Sequence, residues 1–342
     1  MSITATDTDR PTASPLAIGV DDIHAAARRL SGVARRTPLL ESARLNDQLG
    51  ARLLVKPECL QHTGSFKFRG AYNFMSAMDP EVRARGVLAY SSGNHAQGVA
   101  RAAQIFGVPA AIIMPSDAPA MKRRNTAEYG ADVILYDRHG ESREEIGNRL
   151  ASERGLTLIR PYDDPLIIAG QGTSGLEAIE QCRELGADPD FALAPAGGGG
   201  LMAGFSTAVR DACPGVRIFG AEPEGYDDTV RSLAAGTRLS VNSHPPTICD
   251  AIQTPCPGEL TFPINLQNLA GALTVSDAEV MRAMAVAFEE LKIVAEPGGA
   301  VALAAVLASR IAVQGRTVLV VISGGNVDAG LFARALAAGN GE

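Results

Sequence analysis

Short apolar segments alternate with longer helix-like segments along almost the whole of this 342-residue chain. The short segments lack polar alternation, which predicts parallel strands that are buried on both faces. We expect strands in the segments 51–58, 86–92, 110–115, 132–137, 156–161, 191–197, 216–223 and 316–325. We expect helices in the segments 21–34, 95–107, 121–130, 142–155, 172–186, 277–292 and 298–310. The alternation therefore predicts an α/β fold, with parallel or mixed sheets flanked by helices.

Charge, hydropathy and cysteine usage argue against several classes of protein. The formal charge of −7 disfavours a nucleic-acid partner, and no apolar run reaches the roughly 18 residues of a membrane-spanning helix. The first 17 residues are polar and lack the features of a secretory signal, so we expect a mobile tail. The five cysteines form no CxxC pair: Cys59, Cys182, Cys213, Cys249 and Cys256. We therefore expect neither a zinc cage nor a disulfide framework, and a cytoplasmic location.

Three predicted strands run directly into glycine- and serine-rich clusters: SSGN (91–94), GGGG (197–200) and SGGN (323–326). Backbone N–H groups at a junction between a strand and a helix are good anion ligands. Three such clusters predict a ligand with more than one anionic group. The chain has neither a GxGxxG with a following acidic residue nor a GxxxxGK[ST], so GGGGL predicts a phosphate site without favouring a dinucleotide or a nucleoside triphosphate.

Lys67 lies between two aromatic residues, Phe66 and Phe68, in the segment GSFKFRGA (64–71). An isolated lysine is usually exposed to solvent, but aromatic neighbours indicate partial burial, which lowers the pKa of the amine. A reactive lysine together with a phosphate site suggests pyridoxal phosphate (PLP). This cofactor requires an amine for a Schiff base, a phosphate site and an apolar face.

Several segments together resemble the PLP enzymes of fold type II, and among them the threonine/serine dehydratases (ammonia-lyases) and the serine racemases. They are TGSFKFRGA (63–71), SSGNHAQGVA (91–100), AGQGTSGLE (169–177), GGGGL (197–201), AEPEGYDD (221–228), EPGGAVALAA (296–305) and ISGGNVD (322–328). The resemblance implies a large domain of residues 1–85 and 166–342 and a small, inserted, mobile domain of residues 86–165. The cofactor would lie in the cleft between them.

The resemblance also implies a role for each matching residue. Lys67 would bind the cofactor and later move the substrate α-proton, Phe66 would lie against the pyridine ring, and Asn94 would hydrogen-bond the phenolic oxygen. The phosphate would accept hydrogen bonds from the backbone of Gly197, Gly198, Gly199, Gly200 and Leu201. The substrate carboxylate would bind to the loop of Ser91, Ser92, Gly93, Asn94 and His95, although His95 could instead be a packed or helix-capping histidine.

Ser323 would face the pyridine nitrogen of the cofactor. A neutral hydroxyl does not keep this nitrogen protonated as a carboxylate would, so the ring is a weaker electron sink. Rapid loss of a β-hydroxyl relieves the resulting charge, which favours β-elimination over transamination. The alternative is that Ser323 only caps a helix.

The implied activity is PLP-dependent β-elimination of a β-hydroxy amino acid, first of all L-threonine or L-serine, to a 2-oxo acid and ammonia. Arg143 either faces solvent or lies at the substrate mouth, where it would accept a side-chain carboxylate and make 3-hydroxyaspartate a substrate. Ser92 leaves serine racemisation open, because its hydroxyl could protonate the α-carbon opposite the lysine. A non-catalytic ligand-binding protein is the alternative from another class. We also expect a homodimer, and a pocket bordered by QTPCPGELTFP (253–263).

The acidic segment AEPEGYDD suggests a divalent cation, although such a loop is often simply solvated. The carboxylates of Glu222 and Asp228 and the carbonyl of Tyr226 are hard oxygen ligands that suit Mg²⁺, Ca²⁺ or Mn²⁺. The resemblance to the racemases implies such a site, away from the chemistry.

Overall fold

The computed structural model describes residues 16–91, 93–118, 120–137, 140–241 and 245–339. Their strands are β1 (Arg52–Pro57), β2 (Val87–Tyr90), β3 (Ala110–Pro115), β4 (Asp132–Tyr136), β5 (Thr157–Leu158), β6 (Phe191–Pro195), β7 (Arg217–Pro223), β8 (Gly271–Val275) and β9 (Thr317–Ile322). Their α-helices are α1 (Val20–Leu30), α2 (Ala43–Leu49), α3 (Lys67–Ala77), α4 (Pro80–Ala84), α5 (Asn94–Phe106), α6 (Ala120–Glu128), α7 (Arg143–Arg154), α8 (Pro165–Glu184), α9 (Gly200–Ala212), α10 (Asp228–Ala235), α11 (Thr261–Asn268), α12 (Asp277–Leu291), α13 (Pro297–Leu307) and α14 (Ala329–Gly339).

The strands form two parallel sheets with helices packed on them, so the predicted α/β fold is confirmed. The large sheet has five strands in the order β1-β9-β6-β7-β8. Three of them, β1, β6 and β9, are almost entirely buried. The small sheet has the order β4-β3-β2-β5. Parallel strands covered on both faces explain the continuous apolar segments of the sequence.

The small sheet is built from residues that all belong to the segment 86–165. The division of the chain into a large domain and an inserted domain, and any movement between them, stay predictions. In the described part of the chain, no helix is both long enough and apolar enough to cross a membrane.

Glycines let α8 pack closely between α3 and α9. A Cβ atom at Gly170 would lie 2.7 Å from the carbonyl oxygen of Arg69, and one at Gly172 would lie 2.8 Å from that of Gly204. Any side chain at these positions would force the helices apart. The segment AGQGTSG therefore brings α3, which carries Lys67, close to α9, which follows the glycine cluster.

Helix α8 begins at Pro165 rather than at the predicted residue 172. Asp164 caps it, because its carboxylate accepts hydrogen bonds from the backbone of Leu166 (2.8 Å) and Ile167 (3.2 Å). Proline at the first helical position needs no hydrogen-bond acceptor and already has a helical φ. Contacts with neighbouring helices compensate for the low helix propensity of the glycines.

A buried ion-pair network fixes the start of α3. Arg69 is fully buried and donates to Glu58 (2.6 Å) and to Glu177 (2.7 Å), and Lys56 also donates to Glu177 (2.8 Å). Removal of one partner from such a network typically costs about 3–5 kcal/mol, because it leaves a buried charge uncompensated. The network therefore joins β1, α3 and α8 just beneath Lys67.

Candidate active site

A cavity of about 620 Å³ lies where strands of both sheets end. Tyr90 at the end of β2, Pro195 at the end of β6 and Ser323 just after β9 line it. The carboxyl ends of parallel strands are the usual place for a ligand site. Residues from all three glycine- and serine-rich clusters predicted from the sequence line this one cavity, and so does the segment 253–259.

Lys67 is the first residue of α3, and its amine faces the cavity. The Nζ atom donates a hydrogen bond to the carbonyl oxygen of Pro161 (2.7 Å) and lies 5.0 Å from the centre of the Phe66 ring. Burial lowers the pKa of Lys67 to about 8, and the negative charge of Glu296 partly opposes this. Lys67 therefore has a larger neutral fraction near neutral pH than an exposed lysine, as a nucleophilic or basic amine requires.

The glycine cluster forms a tight turn that leads from β6 into α9. Gly199 has a φ of +89°, a left-handed conformation that favours glycine. The carbonyl oxygen of Gly198 accepts a hydrogen bond from Thr261 Oγ1 (2.7 Å). The backbone N–H groups of residues 197–201 donate to no acceptor among the described residues. The turn therefore offers a row of free donors at a helix N-terminus, where an anion is stabilised.

Asn94 is the first residue of α5, and both the nitrogen and the oxygen of its side-chain amide are hydrogen-bonded. Its Nδ2 donates to Glu296 Oε1 (2.5 Å), and its Oδ1 accepts from Asn326 Nδ2 (2.7 Å). Glu296 Oε2 has no partner within the described residues, and burial raises the pKa of Glu296 to about 7. Glu296 was not selected from the sequence, although it opens the segment EPGGAVALAA (296–305).

Ser323 and His95 have different environments. Ser323 is buried, lines the cavity and makes no side-chain hydrogen bond to a described residue, so its hydroxyl is free for a ligand. His95 Nε2 donates to the carbonyl oxygen of Ile159 (2.9 Å). Burial and the nearby charge of Lys67 lower the pKa of His95 to about 3, so the ring is neutral. A neutral, packed ring leaves His95 only its backbone for a carboxylate.

The structure describes part of the remaining predicted substrate loop. Ser91 and Gly93 line the cavity, and Gly93 N–H donates to Ser91 Oγ (3.2 Å). Ser92 lies outside the described residues. Arg143 lines the cavity too, with its guanidinium 5.2 Å from the centre of the Tyr90 ring. Its side chain is half exposed and pairs with Glu144 (2.7 Å). Arg143 therefore both faces solvent and borders the cavity, which the sequence had left as alternatives.

The predicted metal ligands lie outside the cavity lining. Glu222 is fully buried and accepts hydrogen bonds from the backbone of Thr229 (3.0 Å) and Val230 (3.1 Å) near the start of α10. Asp228 is also buried, and its Oδ2 has no partner among the residues described. Tyr226 is buried as well. No group of three or more His, Cys, Asp or Glu side chains in the described ranges could hold a metal ion. The cation stays a prediction.

The basic residues of the cavity that were not selected from the sequence include Lys122 and Arg160. Lys122, on α6 of the small-sheet side, pairs with Asp250 on the large-sheet side (2.5 Å). Arg160 follows β5 and lines the cavity. Neither lies in a segment with a distinctive composition, and a basic residue on a helix or after a strand usually faces solvent. Only the three-dimensional structure reveals that they face a ligand site.

The described residues fit PLP. The free N–H groups of the glycine turn match its phosphate, and the amine of Lys67 lies in the same cavity, with the Phe66 ring beside it. The unpartnered hydroxyl of Ser323 and the amide of Asn94 can contact the polar atoms of its ring. The individual residue roles stay predictions.

Comparison with known proteins agrees with this fit. A family model described as "Pyridoxal-phosphate dependent enzyme" matches residues 30–324. The L-threo-3-hydroxyaspartate ammonia-lyase of Saccharomyces cerevisiae is 45% identical over 90% of this chain and 93% of its own. The serine racemase of Schizosaccharomyces pombe is 40% identical over 92% of this chain and 96% of its own. A crystal structure of a serine racemase from maize has a TM-score of 0.87 and 37% identity, over 94% of this chain and 97% of that one. The chain therefore belongs to the pyridoxal-phosphate dependent enzymes of fold type II.

Proposed function

We propose that this protein is an ammonia-lyase that converts a β-hydroxy amino acid to a 2-oxo acid and ammonia, with 3-hydroxyaspartate preferred over L-serine and L-threonine. Two relatives of over 40% identity are named L-threo-3-hydroxyaspartate ammonia-lyase, and others are named L-threonine ammonia-lyase or serine racemase. β-Elimination is common to the lyases. The order of substrate preference is the new element of the proposal.

The observation that carries the proposal is that the Lys67 amine and the free N–H groups of the glycine turn line the same cavity. Bound PLP supplies an electron sink for the charge that remains on the substrate α-carbon after its proton is removed. Lys67, with its pKa lowered to about 8, is suited to accept this proton. The N–H groups at the start of α5 hold the substrate carboxylate, which orients the α-proton toward the lysine.

Loss of the β-hydroxyl then completes the elimination. Water is added to the released product as ammonia leaves, so serine gives pyruvate, threonine gives 2-oxobutanoate and 3-hydroxyaspartate gives oxaloacetate. The neutral hydroxyl of Ser323 favours this outcome over transamination for the chemical reason given above.

A substrate panel tests the proposal. Purified holoenzyme is given L-threonine, L-serine, D-serine and both diastereomers of 3-hydroxyaspartate, and the release of 2-oxo acid and ammonia is measured. We expect stoichiometric release, fastest with a 3-hydroxyaspartate. Absence of release from every compound would contradict the lyase, and faster release from serine or threonine would contradict the preference.

Serine racemisation is the second candidate, supported by the relatives named serine racemase and by Ser92 in the substrate loop. Chiral analysis of the same serine reactions measures it. If Ser92 is the second acid–base group, Ser92→Ala removes racemisation and spares elimination. Equal loss of both reactions would indicate that Ser92 supports the loop rather than the racemisation.

We further propose that Glu222, Tyr226 and Asp228 bind a divalent cation. Burial raises the pKa of Glu222 to about 8, and the neighbouring charge of Asp228 contributes to this shift. A cation would compensate for the negative charge of these two buried carboxylates, and the unpartnered Asp228 Oδ2 could serve as one of its ligands. We expect Mg²⁺ or Ca²⁺ to raise the melting temperature of chelator-treated protein, and Glu222→Gln to remove the response. An unchanged melting temperature would contradict the site.

A homodimer, which the family resemblance implies, and a cytoplasmic location, which the cysteine usage predicts, complete the proposal. Sedimentation equilibrium of the purified protein tests the first, since a monomer at micromolar concentration would contradict it.

A further inference from the structure

We infer that Arg160 is a specificity-determining residue, whose guanidinium binds the second carboxylate of a dicarboxylic substrate. The inference rests on the proposed function and deepens it, because it names the side chain that separates 3-hydroxyaspartate from serine and threonine. It follows from three properties of the cavity: the position of Arg160, the charges around it and the chemistry of the guanidinium.

The position follows from the two neighbours of Arg160 in the chain. The carbonyl oxygen of Ile159 accepts from His95 Nε2 (2.9 Å), at the start of the helix that would hold the α-carboxylate. The carbonyl oxygen of Pro161 accepts from Lys67 Nζ (2.7 Å), the amine that would take the α-proton. In the chain, Arg160 thus lies between Ile159, which is hydrogen-bonded to the carboxylate loop, and Pro161, which is hydrogen-bonded to the reacting lysine.

Side-chain alternation gives the direction. Ile159 is buried, whereas Arg160 is exposed and lines the cavity. The segment continues from β5, where successive side chains point to opposite sides. The Arg160 side chain therefore projects toward the open side of the cavity, where the substrate side chain would lie.

The charges around the cavity single out Arg160. The other cations of the lining, Lys67 aside, each pair with a carboxylate: Lys122 with Asp250 (2.5 Å), Arg143 with Glu144 (2.7 Å) and Arg238 with Glu259 (3.2 Å). Arg160 has no carboxylate or other hydrogen-bond partner among the described residues. Lys67 would bind the cofactor. Among the described residues of the lining, Arg160 is therefore the cation that remains free to bind a further anion.

The chemistry of the ligand follows. A guanidinium binds a carboxylate through two parallel hydrogen bonds, which adds direction to the charge attraction. The α-carboxylate has its own site at the start of α5, and the phosphate has the glycine turn. The remaining anion is a carboxylate on the substrate side chain, which 3-hydroxyaspartate has and which serine and threonine lack.

The experiment compares Arg160→Gln, Arg160→Lys and Arg143→Gln as holoenzymes, with Arg154→Gln as a surface control that also breaks an exposed ion pair. For L-threo-3-hydroxyaspartate, we expect Arg160→Gln to lower kcat/KM by about 10- to 100-fold, mainly through KM. For L-serine, we expect a change of about twofold or less. Arg160→Lys keeps the charge and loses the paired hydrogen bonds, so its kcat/KM for L-threo-3-hydroxyaspartate should lie between those of wild type and Arg160→Gln.

A binding measurement gives a readout that does not depend on turnover. Calorimetric titration of the holoenzyme with succinate, a dicarboxylate that cannot react, should show weaker binding to Arg160→Gln, while the weak binding of butyrate should not change. Equal losses with both amino acids, or unchanged succinate binding, would overturn the role of Arg160. A loss confined to Arg143→Gln would assign the second carboxylate to Arg143 instead.

The two proposals can fail separately. A wild-type enzyme that releases ammonia from no substrate contradicts the proposed function, and the succinate titration still decides on Arg160. A wild-type enzyme that acts on serine and threonine but not on 3-hydroxyaspartate leaves the lyase intact and overturns the inference about Arg160.

Discussion

The two walls of the cavity are built differently. On the large-sheet side, the ligand-binding groups are backbone N–H groups of a glycine turn and short, buried side chains such as Ser323, next to strands with almost no exposure. On the small-sheet side, they include long charged side chains such as Arg143 and Arg160 as well as the loop at the start of α5, and strand β4 is itself partly exposed. The first wall suits a cofactor that stays in place, and the second suits substrates that enter and leave.

Several polar contacts join these two walls in the described part of the chain. They include the hydrogen bonds of Asn94 with Glu296 and Asn326, the bond from Lys67 to Pro161 and the Lys122–Asp250 ion pair. If the comparison is right, changes in the glycine turn and the short buried side chains of the large-sheet wall should impair cofactor binding. Changes on the other wall should alter substrate kinetics and leave the cofactor bound.

The largest effect is expected from Lys67→Ala. Loss of the amine removes both the attachment of PLP and the base for the α-proton, so we expect kcat to fall by about 10²- to 10⁴-fold or more. The circular dichroism spectrum should not change, because the α3 backbone and the Arg69 network remain. Lys292→Gln, a change in an exposed lysine, is the control. Full turnover by Lys67→Ala would contradict the role of the lysine.

Glu296 lies where the two walls meet, and its titration should affect stability. The folded state holds a proton on Glu296 up to a pKa of about 7, whereas the unfolded state releases it near 4.5. The free energy of unfolding should therefore decrease as the pH rises through this window, by at most about 3 kcal/mol. Lys122 and Lys67 oppose the raised pKa, and Asp250 adds to it.

Chemical denaturation at pH 5 and at pH 7 measures this effect. In Glu296→Gln, the decrease should be smaller than in wild type, because the amide does not titrate. Glu153→Gln, in an exposed position of α7, should behave as wild type. An identical pH dependence in wild type and Glu296→Gln would show that Glu296 is already ionised at pH 5 in the folded state.

Gly199→Ala tests the large-sheet wall. A Cβ there would lie 2.8 Å from both Asn265 Nδ2 and Thr261 Oγ1, in a backbone with a φ of +89°. Strain of about 1–3 kcal/mol should distort the turn and weaken PLP binding about 10-fold or more. Fluorescence titration with PLP measures the affinity. Gly215→Ala, where a Cβ meets no atom within 4 Å, is the matched control. Normal PLP affinity in Gly199→Ala would argue against phosphate binding by this turn.

The smallest effect is expected from the ion pair between the walls. Lys122→Met and Asp250→Asn should each lower kcat/KM by about 3- to 10-fold, because the half-exposed position of Asp250 limits the strength of the pair. PLP affinity should not change. The charge swap Lys122→Asp with Asp250→Lys should recover part of the loss, whereas breaking the Arg154–Asp132 pair within the small-sheet part should have no effect. A swap as poor as the single variants would mean that the two charges do not act as a pair.

The contrast between the walls also explains what the sequence could predict. Buried parallel strands have a strong apolar signature, and the predicted strand near 110–115 coincides with β3. Glycine turns and the Lys67 segment are local in the chain, so their chemistry can be proposed from adjacent letters. The strand predicted at 156–161 is only Thr157–Leu158, because β5 pairs briefly with the start of β2.

Features that depend on tertiary contacts were not predicted. Helix α3 and strand β8 were missed, and the first turns of α8 were missed because their glycines disfavour a helix in isolation. Glu296 and Arg160 acquire their environments from segments distant in the chain. Their roles become visible only when burial, partners and the cavity are known.

Reduction with sodium borohydride followed by peptide mass spectrometry tests the central claim most directly. The reduction fixes the bond between PLP and its lysine, and the modified peptide can then be sequenced. We predict one pyridoxyl group per chain, on Lys67. A group on Lys56, Lys122 or Lys292, or none on protein saturated with PLP, would contradict the account of this active site.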